Sequence, residues 1–161
     1  MITETSGNLL NAEADVLVNT VNCVGAMGKG IAADFKKRYP DMYVDFVRRC
    51  DQRAVRPGRP YAWFGDTKTI INFPTKKHWR GSSRLEWVMD GLPRLVELAT
   101  TVGARRIAVP PLGCGHGGLD WAEVCPLMHA ALSSLTIPVL LYVPRGVTPT
   151  GTPQQDSLFE T

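Results

Sequence analysis

Two hydrophobic rhythms alternate along this chain. The run ADVLVNTVN (14–22) is β-branched and ends in small polar residues, which predicts a strand opening into a loop. In GKGIAADFKKRY (28–39), Ile31, Phe35 and Tyr39 recur every fourth position, the spacing of one helix face, and Pro40 stops the pattern. A second helix is expected after Asp41, with Phe46 and Val47 inward. GRPYAWFGDTKTIINFP (58–74) reads as a hairpin, with strands over 60–64 and 69–73 around a Gly65-Asp66 turn. SRLEWVMDGLPRLVELATTVG (83–103) reads as a long helix: Ser83 and Glu86 have capping-box spacing, and Gly103 is placed to end it. Pro93 is expected to kink or break that helix. RRIAVPPLG (105–113) is a strand running into a loop. Asp120 and Glu123 are placed to cap a helix reaching about Ser133, and IPVLLYVP (137–144) is a last, wholly apolar strand.

Strands alternating with helices predict a layered α/β domain with helices on both faces of the sheet. Unbroken apolar strands such as TIINF and PVLLYV suit a sheet covered on both sides. A length of 161 residues predicts one domain, and 44% hydrophobic residues support a self-sufficient core. The folded part is expected over 1–145. The remainder, 146–161, is rich in Pro, Thr, Gly and Gln and reads as a disordered tail or linker stub. The net charge of +3 is distributed in small basic clusters, most of which read as solvated helix ends. The four cysteines show no CxxC pair and no histidine at metal spacing, which argues against zinc. The N-terminus has no basic start followed by an apolar run, and no stretch approaches the roughly 20 apolar residues of a membrane span. A reduced, cytoplasmic protein without a membrane partner is expected.

Three segments at strand ends carry the chemistry, where an open α/β sheet binds its ligands. In NTVNCVGAMGKGIA (19–32), Gly25, Gly28 and Gly30 lie between a strand and a helix, where backbone N–H groups and the helix N-terminus favour an anion. The segment matches neither dinucleotide nor P-loop spacing, and a plain strand-to-helix turn explains it equally well. PPLGCGHGGLDW (110–121) places Gly113, Gly115, Gly117 and Gly118 before a capped helix, which suits phosphate cradling. Two such loops suggest a ligand with more than one phosphate. INFPTKKHWRG (71–81) then opens a strand onto Lys76, Lys77, His78, Trp79 and Arg80. A lysine there either holds phosphate or acts as a nucleophile if desolvation and nearby cations, Lys77 and Arg80, lower its pKa. A tryptophan among cations suits single-stranded nucleic acid.

These three segments, in this order, resemble the signatures of the macrodomain family, and within it the DarG-like branch of DNA ADP-ribosyl glycohydrolases, related to terminal ADP-ribose protein glycohydrolase. The likeness runs from GNLL (7–10) to the last strand. It implies a three-layer α/β/α sandwich with a mixed, mostly parallel central sheet. It implies that Lys76 is catalytic, acting at the anomeric carbon C1″ of the distal ribose, and that Asn22 orients that ribose. Asn8 and Leu9 would touch the adenine end. Gly28, Lys29, Gly30, Ile31 and Thr75 would line one side of the ADP-ribose. Pro111, Leu112, Gly113, Cys114, Gly115, His116, Gly117, Gly118 and Leu119 would wrap the other. His78, Trp79 and Arg80 would flank a modified base and its DNA. Gly117 stands where the animal relative has a catalytic aspartate.

The activity so implied is hydrolytic removal of ADP-ribose from thymidine in single-stranded DNA, and also from protein Glu or Asp, by a monomer with no cofactor and no metal. A DNA ADP-ribosyltransferase toxin is the implied partner. The rival readings are an ADP-ribose reader without turnover, which has no need of an amine at C1″, and a nucleic-acid binder indifferent to ADP-ribose.

Overall fold

A computed structural model describes residues 1–151. Among these residues six strands form one sheet: β1 (Ile2–Thr5), β2 (Val16–Val21), β3 (Tyr61–Phe64), β4 (Thr69–Pro74), β5 (Ile107–Val109) and β6 (Val139–Tyr142). Their spatial order is β1-β6-β5-β2-β4-β3. All neighbours are parallel except the β3–β4 hairpin. The α-helices are α1 (Gly30–Arg38), α2 (Pro40–Asp51), α3 (Leu85–Thr101) and α4 (Trp121–Leu132).

The period of two in β2 and β4 splits the apolar residues between two cores. Val16, Val18, Ile71 and Phe73 pack with Val88, Leu92 and Leu95 of α3 and Val124 and Met128 of α4. Leu17, Val21 and Ile70 pack on the opposite face with Phe35 of α1 and Met42 and Phe46 of α2. The result is the expected three-layer sandwich. Phe46 is fully buried as expected, whereas Val47 is only half-buried.

Four local features differ from the sequence reading. β1 was not foreseen: MITET is short and half polar, and its strand conformation comes from pairing with β6 at the far end of the chain, Ile2 opposite Val139. Ser83 does not cap α3, since Arg84 occupies the cap position without a side-chain cap bond. Instead Ser83 is buried with its backbone N–H donating to Gly117 O (3.0 Å), and its Oγ finds no hydrogen-bond partner among the described residues. Glu86 pairs with Arg84 across 3.3 Å. Of the kink or break expected at Pro93, the break does not occur: α3 runs through as one helix, on an exposed face where water can serve the carbonyl that loses its partner. Past residue 145 the described residues are mostly exposed, but the chain is tied back at one point, with Thr150 N–H donating to Glu4 Oε2 (2.8 Å). Residues 152–161 of the expected tail lie outside the described residues.

Two stability measurements follow. A Cβ at Gly91 would overlap the buried Phe73 ring. Overpacking of about 1–3 kcal/mol should therefore exceed the ~1 kcal/mol gain in helix propensity, and Gly91→Ala should lower the urea midpoint. Ser83→Ala should leave stability unchanged or raise it, rather than lose the ~1 kcal/mol of an N-cap, because its buried hydroxyl caps nothing and finds no partner among the described residues.

Candidate functional site

The site is built by strand pairing that outlasts the strands. β2 and β4 run in register to Val21 opposite Pro74. Beyond them, Thr75 N–H donates to Val21 O (3.0 Å) and Cys23 N–H to Lys77 O (3.1 Å). The Cys23 thiol adds a bond to Lys76 O (3.2 Å), and burial pushes its pKa up to about 12, so it acts as a neutral donor. The first glycine loop and the lysine segment are thereby fastened side by side. On the other side of β2, β5 carries the second glycine loop to the same edge. The three segments enclose a cleft of about 780 Å³.

Lys76 reaches across this cleft. Its Nζ donates to His116 O at 2.8 Å, tying the lysine segment to the second glycine loop. Desolvation, and then the positive charge of Lys29, lower its pKa from the ordinary lysine value of 10.5. The neighbouring cation is therefore Lys29 of the first glycine loop, not Lys77 or Arg80 as the sequence suggested. Lys77 turns away, with its ammonium 5.8 Å from the Trp87 ring.

Asn22 is buried and lines the cleft, but its side chain is occupied by its own loop. Its Nδ2 donates to Ala26 O (2.8 Å), and its Oδ1 accepts from Val24 N (3.1 Å) and Ala26 N (3.3 Å). Asn22 thus fixes the backbone leading to Gly28. α1 begins at Gly30 with no side-chain cap and no acid in its first turn, which leaves N–H groups free for an anion. Gly30 has φ +61°, and a Cβ there would sit 3.5 Å from the His116 ring. A Cβ at Gly117 would overlap Ser83 Oγ and the Gly113 carbonyl. The loop as folded here has no room for the aspartate that the animal relative carries at that place.

Gly28, Lys29, Gly30, Ile31, Thr75, Pro111, Gly113, Gly115, His116, Gly117, Trp79 and Arg80 join Lys76 and Asn22 around the cleft. Other expected residues lie elsewhere. Asn8 is exposed and its Oδ1 accepts from Leu10 N (3.1 Å), capping a short turn. Leu9 and Leu112 are buried in the two cores. Cys114 bonds back to Leu112 O (3.5 Å), and Leu119 fills the space beside Gly113. Gly118 stays outside the lining. His78 is exposed outside the cleft, with Nδ1 accepting from Arg80 N (3.1 Å) and its ring 5.2 Å from Trp79. Trp79 is 45% exposed, with the Arg80 guanidinium 4.5 Å from its ring centre, so an open aromatic face and a cation stand together at the mouth.

The sequence reading missed Met27 and Arg145 in the lining. Met27 looked like an ordinary loop residue. Arg145 fell at the expected domain boundary; its position just after a parallel strand was the available signal. No Asp or Glu lines the cleft among the described residues, whereas Lys29, Lys76, Arg80 and Arg145 do. Such a cleft is suited to a ligand with several negative charges.

Comparison with known proteins agrees with this geometry. The family profile described as Macro domain matches residues 18–128. A Mycobacterium tuberculosis protein named DNA ADP-ribosyl glycohydrolase is 44% identical over 151 residues, 91% of this chain but 43% of the relative, so this chain spans less than half of that protein. The solved macrodomain of M. tuberculosis DarG superposes with a TM-score of 0.85 at 45% identity, covering 89% of this chain and 98% of that domain. Thermosipho africanus DarTG, solved in complex with ADP-ribose, gives a TM-score of 0.86 at 34% identity, over 91% of this chain and 42% of that one. A T. africanus protein 36% identical over 157 residues, 86% of this chain and 40% of the relative, is named as a fusion of DNA ADP-ribosyl transferase and DNA ADP-ribosyl glycohydrolase. A sandwich with this strand order, two glycine loops facing each other across a cationic cleft, and these matches together make the chain a member of the macrodomain family.

Proposed function

We propose that this protein is a DNA ADP-ribosyl glycohydrolase, which binds ADP-ribose in the cleft and hydrolyses its bond to a nucleobase, with thymidine in single-stranded DNA as the preferred carrier. The observation that carries this reading is the placement of Lys76: a partly desolvated primary amine between two glycine loops, held at 2.8 Å on a loop carbonyl. The names of the M. tuberculosis and T. africanus relatives support ADP-ribosylated DNA as the substrate class.

The pyrophosphate lies against the α1 N-terminus and the Gly113–Gly117 backbone, neutralised by Lys29 and Arg145. This orientation presents C1″ of the distal ribose to Lys76. The neutral amine forms a bond to C1″, and the base leaves with the bonding electron pair and takes up a proton. Water then cleaves the carbon–nitrogen bond to lysine, releasing ADP-ribose and the free amine. Asn22 acts as a positioning residue that shapes the loop beneath the ribose. Trp79 and Arg80 hold the base and strand at the mouth. Ester-linked ADP-ribose on protein Glu or Asp is a second substrate of the same site. A DNA-modifying ADP-ribosyltransferase, the activity fused to the glycohydrolase in the T. africanus relative, supplies the substrate.

The first test is release of ADP-ribose from a modified oligonucleotide. Lys76→Ala should slow release by roughly 100-fold or more, while calorimetry shows ADP-ribose affinity within a few-fold of wild type. Normal turnover by the variant would remove the lysine from the mechanism, and wild-type binding without turnover would make the protein a reader.

A pH series gives a second test. Only the neutral amine attacks, so kcat/KM should rise with pH along a limb that reports Lys76 and ends below 10.5. Lys29→Gln removes a cation that disfavours the ammonium form. The limb should therefore move to higher pH, and a limb that stays put would mean that another group titrates.

Trp79→Ala tests the mouth. Loss of one stacked base is worth about 1–3 kcal/mol, so KM for a modified oligonucleotide should rise at least several-fold, and an unchanged KM would remove Trp79 from substrate binding.

A further inference from the structure

Away from the cleft, three ligand-type side chains from distant parts of the chain meet. Cys125 and His129 stand one turn apart on α4 and share a face. Glu4 of β1 lies against them, its side chain only 3% exposed. Glu4 Oε1 is 3.4 Å from His129 Nε2 and 3.7 Å from Cys125 Sγ, and all three ligand atoms fall within 4.8 Å of one another.

These separations are the edges of a coordination polyhedron. Tetrahedral zinc with ordinary bond lengths holds an oxygen and a nitrogen ligand about 3.3 Å apart, and an oxygen and a sulfur about 3.6 Å apart. Both observed edges through Glu4 match within about 0.1 Å of those values. The third edge, Sγ to Nε2, lies within 4.8 Å and must shorten for metal binding, on the partly exposed side of His129. The second oxygen of Glu4 is already engaged, since Thr150 N–H donates to Oε2 at 2.8 Å. That bond leaves Oε1 as the single metal-facing atom and supplies the outer support that metal-bound carboxylates receive. Carboxylate oxygen, imidazole nitrogen and thiolate sulfur together form a borderline donor set, which favours zinc over calcium or magnesium. The exposed side of His129 provides both an entry path and room for a water in the fourth position.

We infer that Glu4, Cys125 and His129 form a zinc site with three protein ligands and one open position, which pins the edge strand β1 and the chain after β6 to α4. The sequence concealed it because Glu4 precedes Cys125 by 121 residues. Only the Cys125–His129 pair was local, and the reading that no histidine stands at metal spacing passed over it. The simpler arrangement, in which Cys125 and His129 only hydrogen-bond to the Glu4 carboxylate, uses the same side chains without a metal. The two arrangements differ in what the protein retains.

The experiment strips the full chain of metal, then titrates zinc in competition with a chromophoric chelator and, separately, cobalt(II) as a spectroscopic probe. The expected result is one equivalent of zinc bound, a higher melting temperature with zinc, and a cobalt spectrum with a thiolate charge-transfer band. Cys125→Ser and His129→Gln should each weaken zinc binding at least 10-fold, with circular dichroism confirming that both fold. Thr150→Pro, which removes the N–H held by Glu4, should weaken it about 10-fold. The site is overturned if folded wild-type protein retains no zinc against the chelator. Zinc retained equally well by Cys125→Ser and His129→Gln overturns it too.

Discussion

The parallel pairing of β2 with β4 is the constraint on which the site depends. Both strands are central and buried, and their register carries past the regular ladder into Thr75, Cys23 and Lys77. Each of these bonds uses backbone, so the lysine segment and the first glycine loop are held together whatever their side chains do. β5 joins β2 on its other side and delivers the second glycine loop to the same edge. A cleft at the carboxyl ends of adjacent parallel strands is then a consequence of topology.

Electrostatics follow from that convergence. Lys29, Arg145 and the Lys76–Arg80 segment come from three separate parts of the chain and meet around one cavity with no acidic partner among its described lining residues. Like charges in a partly dry cleft repel. The resulting strain is visible at Lys76, whose pKa falls because of burial and Lys29. A polyanion in the cleft would relieve the repulsion. The same ligand's negative charge also draws the Lys76 pKa back up. The Lys76 bond to the His116 carbonyl ties the amine to the second glycine loop.

Much of this was legible in the chain. The hairpin appeared at its expected place, α1 ended before Pro40, Asp120 capped α4 through Ala122 N, and Gly103 took the positive φ that closes a helix. Local signals of this kind are written in a few adjacent residues. What stayed hidden was non-local. β1 is a strand because β6 accepts it, Ser83 leaves its cap because Gly117 claims its N–H, and Lys29 tunes Lys76 only after two strands have aligned their loops. At the site, glycine content and the exposed Lys-His-Trp-Arg run marked the three segments that converge on the cleft. They did not separate residues that face the cleft from those that face the core, as Leu9, Leu112 and Cys114 demonstrate.

The polar core beneath the cleft explains why the register is unique. Asn19 and Asn72 sit opposite each other on β2 and β4 with no exposure to solvent. Asn19 Nδ2 donates to Asn72 Oδ1 (3.1 Å), and Asn72 Nδ2 donates to the Tyr61 hydroxyl (3.1 Å) on β3. Apolar strands alone tolerate slippage, since one valine replaces another. A buried amide pair does not, because a shift leaves each amide facing hydrocarbon at a cost of about 1–3 kcal/mol per unpaired group. A slip of one residue would also invert every side chain of β4 and turn Lys76 to the opposite face. The asparagine pair therefore acts on function from a distance: it touches no ligand, yet it selects the one alignment in which the amine enters the cleft.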